Sequence, residues 1–154
     1  MRSLFSLCIL LFSNALVAET IMPDGCQGLQ VQGEAVTIVA KKSKLILIHN
    51  TSQHDIWITH PVSDPGASAG WTSKISTGNW SALVVDKPNF ILNCIESTPG
   101  HEQQTPCEGA IVACKWKGVK IPTSNQGTFW AGEDMSLSGL KTALGGRGFV
   151  IPNK

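Results

Sequence analysis

Four cysteines behind an apolar leader constrain this chain more than any other feature. Met1 and Arg2 give a short positive start, Leu4 to Phe12 form an apolar run, and Ser13 to Ala18 offer small residues before the charge at Glu19. Those are the three parts of a secretory signal peptide. Cleavage is expected after Ala18, with Ala15 as the second choice because Ser13 then occupies the −3 place. The run is too short for a bilayer, which takes about 20 apolar residues. Cys8, preceded by Leu7, does not look like a lipidation site. Residues 1–18 therefore read as a signal peptide and 19–154 as a single domain, periplasmic or secreted. The remaining 136 residues are enough for one core.

Cys8 departs with the leader, leaving Cys26, Cys94, Cys107 and Cys114. An even number in an exported chain predicts disulfides, here two, with three connectivities open. Zinc is the rival, but gaps of 67, 12 and 6 residues with no Cys-x-x-Cys argue against it. Without the leader, 11 Lys+Arg balance 11 Asp+Glu. A net charge near zero speaks against nucleic acid and anionic lipid as partners. No later segment is apolar enough to cross a membrane.

The body is rich in β-branched runs bounded by turn residues. Strands are expected at Ala35–Ala40, Leu45–His49, Asp55–Thr59, Ser81–Val85, Asn89–Glu96, Gly109–Trp116, Thr128–Trp130 and Gly148–Ile151. Leu45–Ile48 and Asp55–Ile58 run without clear alternation, which implies strands covered on both faces. The two are expected to form a hairpin through the polar 50–54 loop. Ser136–Leu144 is the one helical pattern, with Ser136 as N-cap, Leu137, Leu140 and Leu144 on one face, and Gly145-Gly146 as the stop. The fold class is all-β, an antiparallel β-sandwich with one short C-terminal helix. If Asn89–Glu96 pairs with Gly109–Trp116, Cys94 and Cys114 lie about 10 Å apart along the ladder, beyond disulfide reach. That register favours Cys94–Cys107 and Cys26–Cys114.

Few residues suggest chemistry. Gly66-Ala67-Ser68-Ala69-Gly70 matches G-x-S-x-G, but no strand-to-helix turn surrounds it; a triad would need Ser68, Asp86 and His101. The order His54, Cys94, His101 follows that of blue-copper ligands. The stretch from the Ser76–Asn79 turn through the strand ending at Cys94 resembles the second half of a cupredoxin, which implies a Greek-key arrangement. No Met follows His101 before Gly109, so Gln103 or Gln104 would have to replace it, and Cys94 is also claimed by the disulfide count. Five tryptophans without a tyrosine allow a flat glycan-stacking face as well as core packing. Lys41, Lys42 and Lys44 read as a solvated strand entrance, and Glu133-Asp134 as partners of the helix dipole. Residues 63–80 are the expected contact surface, anchored by Trp71 and Trp80.

Several stretches resemble the enhanced-entry protein B family of intracellular bacterial pathogens. They are Leu47–Asn50, Ile56–Pro61, Gly66–Trp71, Trp80–Leu83 and Trp130–Met135, spanning most of the mature chain. The resemblance implies an exported, non-enzymatic envelope accessory protein linked to host-cell entry and virulence, with no catalytic residues to carry over. Its partner would be an envelope or host-surface protein. No cofactor is expected; a copper-binding cupredoxin relative and a glycan-binding sandwich module are the alternatives.

Overall fold

The computed structural model describes residues 22–61, 72–98 and 100–152. The expected signal peptide lies outside them. Ten strands form two antiparallel sheets: β1 (Cys26–Gly28), β2 (Ala35–Ile38), β3 (Lys44–Asn50), β4 (Asp55–Thr59), β5 (Thr72–Ile75), β6 (Trp80–Val85), β7 (Phe90–Thr98), β8 (His101–Thr105), β9 (Ile111–Trp116) and β10 (Phe129–Met135). Sheet A runs β1-β9-β3-β6-β10, and sheet B runs β2-β7-β4-β5. The long β7 has β4 along one flank. Its other flank is shared end to end by β2 and β8. The all-β sandwich with one C-terminal helix, α1 (Leu137–Gly146), is thus the observed fold.

Leu45-Ile46-Leu47-Ile48 shows how the sequence builds three layers. Side chains alternate across a strand, so a fully buried run needs cover on both sides. Ile46 and Ile48, with Leu83 and Val85, face sheet B and meet Ile56, Ile58, Ile75, Phe90 and Leu92. Leu45 and Leu47, with Ala82 and Val84, point the other way and are covered by Leu140 and Leu144 of α1 and by Phe149 beyond it. Burying a Leu or Ile side chain is worth about 1.5–3 kcal/mol, so the central strands of sheet A gain from both layers.

α1 begins as its sequence indicates, with the Ser136 hydroxyl accepting from the Gly139 N–H at 3.2 Å. That is a Ser N-cap in its usual role. Gly145-Gly146 does not stop it. Both glycines are helical, and the chain reverses at Gly148, whose φ of +83° suits a residue without Cβ. Arg147 fixes this end by donating to the Ala131 carbonyl at 2.6 Å.

Two expected pairings are corrected. Leu45–His49 and Asp55–Thr59 do not form a hairpin: β3 pairs with β6 and β9, while β4 pairs with β5 and β7. The link crosses between sheets because Asn50, fully buried, ties them together. Its side-chain amide donates to the His54 and Ile75 carbonyls at 2.8 Å each, and its oxygen accepts from the Ser52 N–H and hydroxyl. Nor does β7 pair with β9; they lie in different sheets. The disulfides are nonetheless Cys26–Cys114 and Cys94–Cys107, with Cα separations of 5.5 and 5.2 Å. Cys94 and Cys107 belong to the inter-sheet core, and Cys114 to the layer under α1. Such bonds persist in an oxidising environment. Among the described residues, no helix is long and apolar enough to cross a membrane.

Candidate functional site

Asp55–Thr59 does not share the double burial of Leu45–Ile48. Ile56 and Ile58 point into the core, while Asp55, Trp57 and Thr59 point outward and are only half-buried. Among the described residues, no element covers the outer face of sheet B. Ile95 of β7 stands directly opposite Trp57, and Gln104 of β8 opposite Ile95. Together Trp57, Thr59, Thr72, Ile95 and Glu102 line a cleft of about 240 Å³. Its floor is apolar and its rim carries hydroxyls and a carboxylate. The Thr59 and Thr72 hydroxyls lie 3.2 Å apart. The Trp57 indole nitrogen is buried without a hydrogen-bond partner. Beside the cleft, Lys74 pairs with Asp55 at 2.7 Å, a hydrogen bond that raises the ammonium above its ordinary value. An aromatic floor with a polar rim suits binding, since Trp offers large contact area at low entropic cost.

A second cluster sits at the β5–β6 turn. His49 stacks on Trp80 with ring centroids 4.2 Å apart and planes 4° from parallel. His49 Nε2 donates to the Gly78 carbonyl at 3.1 Å, and Nδ1 is buried without a partner. Burial lowers the His49 pKa, and the bond to Gly78 offsets this only in part. Asp134, at φ +48°, accepts from the Ser76 N–H at 2.7 Å, the Ser76 hydroxyl at 2.9 Å and the Asn79 amide at 2.9 Å. Partial burial alone would raise its carboxyl. The three hydrogen bonds, with the Lys74 charge, outweigh that and hold it below the ordinary value. Asp134 thus staples β10 to the turn before β6. That corrects its assignment to the helix dipole, because the residue belongs to a strand and its carboxylate is consumed by the turn.

The structure separates most of the residues singled out in the sequence. Trp71 and Ser68 lie outside the described residues, as does half of the 63–80 stretch. Trp80 is no contact anchor: it is 5% exposed, in the layer beneath α1. The blue-copper set is not assembled. Cys94 is bonded to Cys107 in the buried core, so no thiolate is available there. His54 lies at the exposed start of β4, 3.8 Å from Glu96, and His101 is exposed at the start of β8. No group of three or more His, Cys, Asp or Glu side chains is poised for a metal among the described residues. Nor do the described tryptophans form a flat exposed face, since Trp116 and Trp80 are buried while Trp57 and Trp130 are half-buried.

Comparison with protein-family models, with characterised proteins and with solved structures finds no match. The outer-face residues of sheet B escaped the sequence reading although a signal existed. Asp-Ile-Trp-Ile-Thr alternates with period two once Trp57 is scored as the outward member, which is the mark of a half-exposed strand. The left-handed Asp134 and the His49–Trp80 stack depend on neighbours more than 30 residues away in sequence and left no local trace.

Proposed function

We propose that this chain is an exported, non-enzymatic accessory protein of a bacterial envelope, and that it supports host-cell entry by contacting a protein of the envelope or host surface. The supporting observation is the outer face of sheet B, where Trp57 and Ile95 floor a cleft that no element of the described fold covers. Apolar contact area inside a polar rim is the usual anatomy of a protein interface. Two disulfides fit export, and the resemblance to the enhanced-entry protein B family fits the role. The test is a strain lacking the gene, complemented with wild type or Trp57→Ala at matched levels of exported protein. Deletion should reduce uptake into host cells several-fold, and Trp57→Ala should restore it poorly. Full uptake by the deletion strain overturns the reading.

A further inference from the structure

Near-neutral composition conceals a segregated charge distribution. Lys41, Lys42 and Lys44 lie where β2 crosses to β3, and Lys115 and Lys117 at the end of β9. Lys87 lies in the β6–β7 turn, whose backbone carbonyl accepts from the Ala40 N–H. The strand registers bring all six to one end of the sandwich. Ile46 stands opposite Lys115, and Lys44 opposite Val85. Two carboxylates share that end. Asp86 accepts the Thr128 hydroxyl at 2.7 Å, and Asp24 lies beside Trp116, whose indole N–H its carbonyl accepts. Asp55, Glu96, Glu102, Glu133 and Asp134 sit toward the other end.

The β3–β9 ladder ends at Ile46–Lys115, and beyond it Lys44 and Lys117 both line the same cleft. Among the described residues the ion pairs are Lys74–Asp55 and His54–Glu96, and none of these six lysines is paired with a carboxylate of those residues. Beside them lies a cleft of about 270 Å³, lined by Lys44, Lys115 and Lys117 together with Ser43, Gly118 and the apolar Leu45, Trp116, Val119 and Ile121. An anionic group seated there would lie beside three ammonium-bearing side chains.

We infer that this lysine end is a binding surface for a sulfated polysaccharide chain, with the Lys44–Lys115–Lys117 cleft seating one sulfate and Lys41, Lys42 and Lys87 following the chain. The choice of polyanion rests on what accompanies the charge. Single-stranded nucleic acid is held by aromatic platforms alongside the basic groove, and bases are read by Arg forks. Here the cations are all lysines, the Trp116 ring is buried, and Arg147 is engaged with Ala131. A bilayer presents a flat charged plane, whereas this cation set surrounds a cleft. Sulfate groups on a flexible chain need only point charges, which lysine supplies. The surface lies at the end of the sandwich, away from the Trp57 cleft, so it stands or falls independently of the proposed protein contact.

The test uses the mature, disulfide-bonded protein and heparin as probe, with neutral dextran, a single-stranded oligonucleotide and phosphatidylglycerol vesicles as separate arms. Heparin should bind more tightly than all three, with affinity falling steeply as salt rises, because each engaged anion releases counterions. Lys44→Gln/Lys117→Gln should weaken binding about tenfold or more. Lys44→Arg/Lys117→Arg should retain it, and Lys74→Gln at the opposite end should change nothing. Unchanged circular dichroism keeps the variants comparable. Heparin binding no better than dextran, equal or tighter binding to oligonucleotide or vesicles, or a glutamine double variant that binds like wild type would overturn the inference.

Discussion

Sheets A and B share an inner core, but α1 and the C-terminal tail cover the outer face of A while the described fold leaves that of B bare. The difference is written in the side chains. Leu45 and Leu47 send aliphatic groups to the outer face of A, which must be buried, whereas Asp55, Trp57 and Thr59 place a charge, an aromatic and a hydroxyl on the outer face of B. One outer face is packed beneath α1, and the other is left uncovered by the described residues. On the function proposed above, this division puts stability on one side of the sandwich and recognition on the other, and substitutions can break it.

The largest expected effect concerns the bond that anchors the covered side. Cys26–Cys114 closes a loop of 88 residues in sequence separation, against 13 for Cys94–Cys107. On the chain-entropy account, replacing the first pair with alanine costs about 4–5 kcal/mol and the second about 3. Urea unfolding of the two double variants checks the order; a reversed order would show that the bond within the inter-sheet core matters more than the one beneath α1.

Next comes a direct contrast of the faces. Leu140, fully buried beneath α1, should cost about 3 kcal/mol on truncation to alanine. Trp57→Ala on the open face should cost about 1 kcal/mol, since a half-buried side chain forfeits only part of its burial. Equal losses in thermal melts would erase the distinction. A smaller effect, about 1–2 kcal/mol, is expected for Gly132→Ala, because a Cβ at that position of β10 would overlap Leu140 Cδ1, which is packed and cannot withdraw.

How much of this was legible in the sequence depended on whether a signal was local. Asp55–Thr59 matches β4 at both ends, and Ser136 caps α1, because alternation and capping are decided within a few residues. The strand His101–Thr105 is absent from the expected strands: its outer-flank place beside β7 leaves it largely exposed, so it carries no apolar pattern. The hairpin error has the same root. Two adjacent apolar runs cannot reveal that the Asn50 amide donates to the Ile75 carbonyl of β5 and thereby ties the link to the other sheet. The disulfide pairing emerged correctly from an incorrect strand pairing, because Cys107 lies close enough in sequence to fold back on Cys94 in either arrangement. Trp57, the most informative residue of the open face, was passed over because outward aromatics and core aromatics are the same letter.

The smallest effect tests whether the covered side carries a pH sensitivity. His49 is stacked on buried Trp80, its Nε2–H donates to the Gly78 carbonyl, and its bare Nδ1 faces no acceptor. A second proton on Nδ1 would be buried without a hydrogen bond, so the folded protein resists protonation and its pKa lies below the ordinary value of 6.5. Above that value both folded and unfolded chains hold a neutral imidazole and His49 contributes no pH dependence. As pH falls through it, the unfolded chain takes up the proton first, which favours unfolding. Stability therefore declines with falling pH and levels off below the folded pKa. The Asp134 carboxyl, lowered by its hydrogen bonds, adds a separate loss at more acidic pH, below the ordinary carboxylate value, as protonation there breaks its bonds to Ser76 and Asn79. Urea midpoints of wild type and His49→Gln at about pH 7.5 and about pH 5.5 isolate the imidazole. The wild-type midpoint should drop more than that of the variant between these values; parallel drops would assign the pH dependence to groups other than His49.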